Sequence, residues 1–220
     1  MSISGSASPV GRQLEINHED AVERETPLQF SPEPRTQPTY AVSYAWTDES
    51  SAVVDNLCAA ANARGIAILR DKDNVQFGES LTRFMQKLTA QDRIFIILSR
   101  KYLESPFCMY ELFEIWRRCQ QEEDAFIERV RVFATPDAEF RTILQRMQRA
   151  AFWQDQFEAI DKLIRERGGS VIGQRDFALY GLMQRFSSQV GDILSLVEDR
   201  LGPRTFEALV EYGFDDPQPS

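Results

Sequence analysis

Residues 105–112 contain residue types that could do chemistry on a ligand with an aromatic ring and a sugar. They read SPFCMYEL, and Phe107 and Glu111 are four positions apart. Ser105 is a good N-cap and Pro106 suits the first helical position, so we expect a helix to begin here. Residues four apart share a helix face, with roughly 6 Å between their Cβ atoms. An aromatic plane could then stack on a heteroaromatic ring while the carboxylate accepts a hydrogen bond from a sugar hydroxyl. The ordinary alternative places Phe107 in the core and Glu111 on the solvated surface.

A second candidate is the polar segment 71–78, which reads DKDNVQFG. Its single glycine allows backbone conformations that other residues avoid, so the segment is typical of a mobile loop that covers a ligand. An ordinary strand-to-helix turn is the alternative. Asp71 and Asp73 also raise the possibility of a Mg²⁺-dependent phosphoacceptor site. That chemistry needs an acidic pair after the first strand and a lysine after a late strand, and the sequence offers neither convincingly.

The residue counts exclude several kinds of active site. His18 is the only histidine and lies in a predicted tail, which argues against Ser-His-Asp, Cys-His and His-metal chemistry. Cys58, Cys108 and Cys119 have no C-x-x-C spacing, so we expect free thiols and no thiolate metal site. The glycines form neither of the standard phosphate-binding loops. If the protein is an enzyme, carboxylates must carry the chemistry, and we expect no metal.

Charge and hydropathy indicate the compartment. The net charge of −9 argues against direct nucleic-acid binding, which usually needs a basic face. The longest apolar run, residues 94–98, is far shorter than the roughly 20 residues that span a bilayer. The first residues show no basic region followed by an apolar stretch, so we expect no secretory signal. These features predict a cytoplasmic protein without membrane contact.

The elements that would position these residues alternate from residue 39 onward. The predicted strands are residues 40–44, 66–69, 94–98 and 129–134. The predicted helices that alternate with them are residues 52–64, 80–89 and 105–121. This alternation indicates an α/β fold with a parallel sheet and helices on both faces. Ligands bind such sheets beyond the carboxyl ends of the strands, where both candidate segments lie.

The two ends of the chain differ from this core. Residues 1–38 are rich in proline and serine without periodicity, which predicts an N-terminal tail. We assign residues 39–167 to the core domain and residues 168–220 to a helical C-terminal closure or extension. The helices predicted after the last strand are residues 140–149, 154–167, 177–201 and 205–212.

Three segments together resemble the signature motifs of the TIR (Toll/interleukin-1 receptor) domain. The run SYAW at residues 43–46 resembles the family's first box, and residues 71–78 resemble its BB loop. The run FCMYE at residues 107–111 matches the aromatic-Cys-x-x-Glu segment that carries the family's catalytic glutamate. The resemblance covers about residues 39–134, with weaker agreement at Phe152-Trp153.

The sequence departs from the family pattern at two positions. Thr39 stands where an aspartate often opens the first box, and Phe107 replaces the usual tryptophan. The first departure concerns the entry into a strand rather than chemistry. The second keeps an aromatic face of smaller area, so stacking remains available.

The resemblance implies a flavodoxin-like fold with a five-stranded parallel sheet and helices on both faces, followed by the helical C-terminal extension. It also implies that Glu111 is the catalytic residue. The residues implied to contact the substrate are Tyr44, Ala45, Trp46, Asp71, Phe77, Gly78, Phe107 and Cys108.

Two kinds of function follow from the resemblance. In the first, the domain cleaves the nicotinamide–ribose bond of NAD⁺, which is then a substrate rather than a cofactor, and forms ADP-ribose or a cyclised product. In the second, the domain is a non-enzymatic adaptor or scaffold that acts through TIR–TIR association. Glu111 favours the first and implies a bacterial defence effector, whose partners are copies of itself and a protein activator or sensor. A receiver-like phosphorelay domain is a third, minor alternative, because its sheet is of a similar type.

Overall fold

Short hydrophobic strands form a parallel sheet at the centre of the protein. The computed structural model describes residues 37–70, 81–201 and 205–215. Its described strands are β1 (Tyr40–Tyr44), β2 (Ile68–Leu69), β3 (Arg93–Leu98) and β4 (Val130–Ala134). They pair in parallel in the order β2-β1-β3-β4. The predicted α/β architecture with a parallel sheet is confirmed.

Strand β3 lies between β1 and β4, and every residue in it is buried. This is what a parallel strand covered on both faces requires. In the β1–β3 pair, Ser43 lies opposite Ile96 and Tyr44 lies opposite Ile97. This register brings the carboxyl ends of β1 and β3 to the same edge of the sheet.

Helices connect the strands and extend beyond the last one. The described α-helices are α1 (Asp48–Asn62), α2 (Leu81–Leu88), α3 (Arg100–Leu103), α4 (Pro106–Arg118), α5 (Glu123–Arg129), α6 (Ile143–Arg167), α7 (Gln174–Phe186), α8 (Val190–Leu196) and α9 (Phe206–Tyr212). A π-helical turn, Val197–Leu201, follows α8 directly.

The two faces of the sheet belong to different hydrophobic cores. Because side chains alternate along a strand, Tyr40, Val42 and Tyr44 of β1 face one core while Ala41 and Ser43 face the other. The first core, with Tyr44, receives α1 and α9. The second core receives α2 to α8. Helices therefore cover both faces of the sheet, as predicted.

Side-chain caps explain where the helices near the sheet edge begin. The Ser105 hydroxyl accepts a hydrogen bond from the Cys108 backbone at 3.3 Å, and Pro106 follows it, so α4 begins where the sequence predicts. Thr47 caps α1 by accepting from the Ser50 backbone at 3.1 Å. For this reason α1 begins at Asp48, four residues before the predicted start at residue 52.

The C-terminal helix α9 is tied to the sheet rather than lying apart from it. The Tyr40 hydroxyl donates to the Phe214 carbonyl at 3.1 Å, and the Arg93 guanidinium donates to the Asp215 carbonyl at 3.1 Å. A Cβ atom at Gly213 would lie 2.8 Å from the Phe95 ring, so only glycine allows this close approach. The division between residues 39–167 and 168–220 stays a prediction.

Several predicted boundaries differ from the structure. The predicted helices 140–149 and 154–167 form the single helix α6, because residues 150–153, which read AAFW, contain no proline or glycine to interrupt the backbone hydrogen bonds. The predicted helix 177–201 is divided into α7, α8 and a π-helical turn, with a turn at residues 187–189. Four strands occur among the described residues, and the fifth strand implied by the resemblance is not among them.

Candidate active site

The candidate site lies at the carboxyl edge of the sheet, where β1 ends and α4 begins. Ser43 is near the end of β1, and Glu111 is in the second turn of α4, which follows β3 through the short helix α3. Ser43 faces the core that receives α3 and α4, because it alternates with Ala41 and Ala45 of that core. The sheet therefore presents a hydroxyl to the helix that carries the predicted catalytic carboxylate.

A chain of two buried hydroxyl groups ends on the Glu111 carboxylate. The Ser43 hydroxyl donates to Oε2 of Glu111 at 2.6 Å, and the Tyr102 hydroxyl lies 2.9 Å from the same Ser43 oxygen. Ser43 and Tyr102 are both buried. A serine hydroxyl has one proton, so Ser43, which gives that proton to Glu111, must accept its second hydrogen bond from Tyr102. The protons therefore point in one direction, from Tyr102 through Ser43 to Glu111.

This direction requires a protonated Tyr102 hydroxyl. Burial raises the pKa of the Tyr102 hydroxyl well above its usual value, and the charges of Cys108 and Glu111 raise it further, while the hydrogen bond with Ser43 lowers it. Tyr102 therefore keeps its proton at neutral pH and remains able to donate it.

Burial of Phe107 and Glu111 is the reverse of the ordinary pattern. Glu111 is only 6% exposed, whereas Phe107, one helical turn earlier, is 43% exposed. The alternative that placed Glu111 on the solvated surface and Phe107 in the core is wrong. The hydroxyl of Ser43 explains the first observation, because a buried carboxylate needs hydrogen-bond donors.

The remaining predicted contact residues are placed differently from one another. Ala45 and Cys108 are buried in the same core as α4, and Trp46, beyond the end of β1, is 64% exposed. Tyr44 is buried in the opposite core, so the sheet separates its side chain from the face on which Glu111 lies. Its predicted contact with substrate stays a prediction.

Asp71, Phe77 and Gly78 lie outside the described residues, so the predicted loop closure also stays a prediction. Arg70, the last described residue before them, forms an ion pair with Asp55 of α1 at 2.5 Å.

A second buried glutamate in α4 provides a comparison. Glu114 is 7% exposed and accepts two hydrogen bonds from the Arg117 guanidinium, at 2.9 and 2.8 Å. Burial raises the pKa of Glu114, but the hydrogen bonds and charge of Arg117, together with a hydrogen bond from Tyr110 and the charge of Arg118, outweigh burial and lower it. Glu114 therefore forms a typical structural ion pair with a cation on its own helix. Glu111 instead accepts a hydrogen bond from Ser43 of strand β1.

Sequence reasoning missed two residues of the site. Tyr102 belongs to none of the three motif segments, and Ser43 stands out in the sequence only as part of the run SYAW. The described residues contain no group of three or more histidine, cysteine, aspartate or glutamate side chains placed to hold a metal ion. The same part of the chain has no helix long and apolar enough to cross a membrane.

Comparison with known proteins decides the family. A family model described as the TIR domain matches residues 41–164, more than half of the chain. The chain belongs to the TIR-domain family. The match includes Ser43, Tyr102 and Glu111, so the site lies within the TIR domain itself.

The comparisons with solved structures and with curated proteins give less information than the family model. Among solved structures, this TIR protein is similar to the TIR domains of the activated Roq1 resistosome directly recognizing the pathogen effector XopQ, with 18% identity and a TM-score of 0.45. The alignment covers 71% of this chain and 85% of that chain. No curated protein matches the chain.

Proposed function

We propose that this TIR protein cleaves NAD⁺ at the nicotinamide–ribose bond, with Glu111 as the catalytic residue. The observation that carries the proposal is the placement of Glu111, a buried carboxylate at the ligand-binding edge of the sheet, hydrogen-bonded by Ser43 at 2.6 Å. Burying a carboxylate costs free energy, so its presence beside an exposed aromatic ring calls for an explanation. A role for the carboxylate in binding the ribose of the substrate would supply this explanation.

The reaction does not need a histidine. The bond from ribose C1′ to the nicotinamide nitrogen breaks with both electrons leaving on nitrogen, so the cationic ring departs as neutral nicotinamide without protonation. Positive charge develops on the ribose, as in other glycoside cleavages. Water then adds to C1′ and loses a proton to give ADP-ribose, or a nucleophile within the same molecule attacks instead to give a cyclised product.

Glu111 would act by stabilising the transition state. Its carboxylate accepts hydrogen bonds from ribose hydroxyls, and these bonds strengthen as positive charge develops on the sugar. The low exposure of Glu111 increases this effect, because electrostatic interactions are stronger where water is excluded. Phe107, exposed one turn away, offers a plane on which a heteroaromatic ring can stack.

We further propose that the protein acts as a cytoplasmic defence effector and that activity needs self-association. In this proposal Glu111 and the exposed ring of Phe107, one helical turn away, supply one wall of the site. A second copy of the chain would supply the opposite wall. Head-to-tail contacts of this kind can propagate into a filament.

A non-enzymatic adaptor remains the second candidate, favoured by exposed apolar side chains on α6. Ile143, Leu144 and Met147 are exposed in its first turns, a pattern typical of interaction surfaces.

One assay distinguishes the enzyme from the adaptor. Pure protein at high concentration is incubated with NAD⁺, and the products are separated by chromatography. We expect nicotinamide together with ADP-ribose or a cyclised product. Assembly of the protein without any loss of NAD⁺ would favour the adaptor.

A further inference from the structure

Three elements of the fold meet in a single chain of hydrogen bonds. Tyr102 belongs to α3, Ser43 to β1 and Glu111 to α4, and their side chains are linked at 2.9 and 2.6 Å. A glutamate side chain rotates about several bonds, so a carboxylate needs fixed partners to keep one orientation. Ser43, which bonds to the carboxylate, and Tyr102, which bonds to Ser43, are both buried and belong to elements other than the helix of Glu111.

We infer that Ser43 and Tyr102 are positioning residues that orient the Glu111 carboxylate toward the substrate ribose. The inference rests on the proposed function. Ser43 donates a short, charge-assisted hydrogen bond to Oε2 of Glu111 and so restrains the position of that oxygen. Tyr102 acts one step further away, since it fixes the rotamer of the Ser43 hydroxyl by donating to it.

The anchoring of α3 shows why the Tyr102 hydroxyl can serve as a fixed point. The Ser99 hydroxyl caps this helix by accepting from the Tyr102 backbone at 3.1 Å. The Trp153 indole of α6 donates to the Leu103 carbonyl at 2.9 Å, and Trp153 is itself buried. A four-residue helix would not hold its place alone, but these two contacts attach it to the residue that follows β3 and to α6.

A purely structural role makes a different prediction. If the two hydroxyls only satisfied a buried carboxylate, removing them would lower stability and leave turnover by the folded protein unchanged. If they position Glu111, their removal lowers kcat and leaves KM nearly unchanged, because the misplaced contact is one that strengthens in the transition state. Removing Tyr102 should also matter only while Ser43 is present.

The experiment measures kcat and KM for NAD⁺ cleavage by the full chain and by Ser43→Ala, Tyr102→Phe and the double variant. Because small misplacements of catalytic groups cost up to about 100-fold, we expect Ser43→Ala to lower kcat about 10–100-fold with KM within about twofold. We expect a smaller loss of about 3–10-fold for Tyr102→Phe, since it acts through Ser43. The double variant should match Ser43→Ala within about twofold, because the two residues act in series.

The chain offers a matched control for each change. Ser50→Ala removes a fully buried serine hydroxyl that makes no hydrogen bond within the described part of the chain. Tyr40→Phe removes a hydroxyl that bonds to the Phe214 carbonyl on the opposite face of the sheet. Both controls should keep wild-type kcat, although Tyr40→Phe should melt at a lower temperature. If Ser43→Ala does not fold, Tyr102→Phe, which keeps the ring, provides the test. Ser43→Thr, which keeps the hydroxyl, is then the comparison variant at position 43.

The possible results separate this inference from the proposed function. Normal kcat in folded Ser43→Ala and Tyr102→Phe, with an inactive Glu111→Gln, would overturn the positioning role and leave the function in place. Losses that multiply in the double variant would overturn the action in series. A wild-type protein that releases no nicotinamide at any concentration would overturn the proposed function, and the inference with it.

Discussion

Two buried glutamates of α4 allow a sharp test of the catalytic assignment. Glu111 and Glu114 are three residues apart and equally buried, at 6% and 7% exposed. Replacing each with glutamine keeps the size of the side chain and removes its charge. We expect Glu111→Gln to abolish NAD⁺ cleavage and Glu114→Gln to leave it nearly unchanged.

The expected stability changes follow from the hydrogen bonds. A hydrogen bond to a charged group contributes about 1.5–3 kcal/mol and a neutral one about 0.5–1.5, so Glu111→Gln should lose about 1 kcal/mol at the bond from Ser43. Such a loss lowers Tm by roughly 2–4 °C in a domain of this size. Glu114→Gln should lose a similar amount, about 1 kcal/mol, because its partner Arg117 is half exposed.

The kinetic change separates the two variants. Loss of a group that stabilises developing charge typically slows an enzyme at least about 100-fold, equal to ~2.7 kcal/mol of the barrier. The assay measures nicotinamide release by chromatography, with circular dichroism and melting to confirm the fold. The reasoning is refuted if folded Glu111→Gln retains turnover within about tenfold of wild type. It is also refuted if Glu114→Gln loses as much activity as Glu111→Gln.

Three further predictions concern the loop, assembly and the C-terminal anchor. Gly78→Pro should lower turnover severely with melting nearly unchanged, because proline fixes the backbone and removes a donor, and turnover within about twofold would show that loop motion is not needed. Specific activity should rise with protein concentration, and mixing Glu111→Gln with Gly78→Pro chains should restore some turnover. Flat activity from nanomolar to tens of micromolar, with only monomer in light scattering, would contradict self-association. Gly213→Ala should lower the free energy of unfolding by about 1–3 kcal/mol, measured by denaturant titration, because its Cβ would clash with the Leu209 carbonyl and lie 2.8 Å from the Phe95 ring.

Local signals in the sequence were enough to predict the elements that carry the site. Ser105 and Pro106 predict the start of α4, and the hydroxyl cap confirms it, because capping depends on residues within one turn. The apolar run at residues 94–98 predicts the central strand β3, because burial on both faces requires such a run. The spacing of Phe107 and Glu111 likewise predicts that they are neighbours along one helix.

Local sequence patterns predict the wrong helix and strand boundaries where these depend on contacts between residues far apart in the chain. The sequence predicts one helix over residues 177–201, but the chain turns at residues 187–189 so that α8 can pack against the core. Strand β2 is limited to Ile68 and Leu69, because only these two residues pair with β1. The hydrophobic periodicity of one segment carries no information about where in the fold its packing partner lies.

The burial of Glu111 was decided by tertiary structure alone. Ser43 is 68 residues from Glu111 and 59 residues from Tyr102 along the chain. The parallel pairing of β1 with β3 brings the end of β1 close to α3 and α4, so that the Ser43 hydroxyl meets both the Tyr102 hydroxyl and the Glu111 carboxylate. The sequence by itself determined that a glutamate and an aromatic ring would share the start of a helix at the sheet edge. The fold determined which of them points inward, because a carboxylate can be buried only where other elements bring hydrogen-bond donors to it.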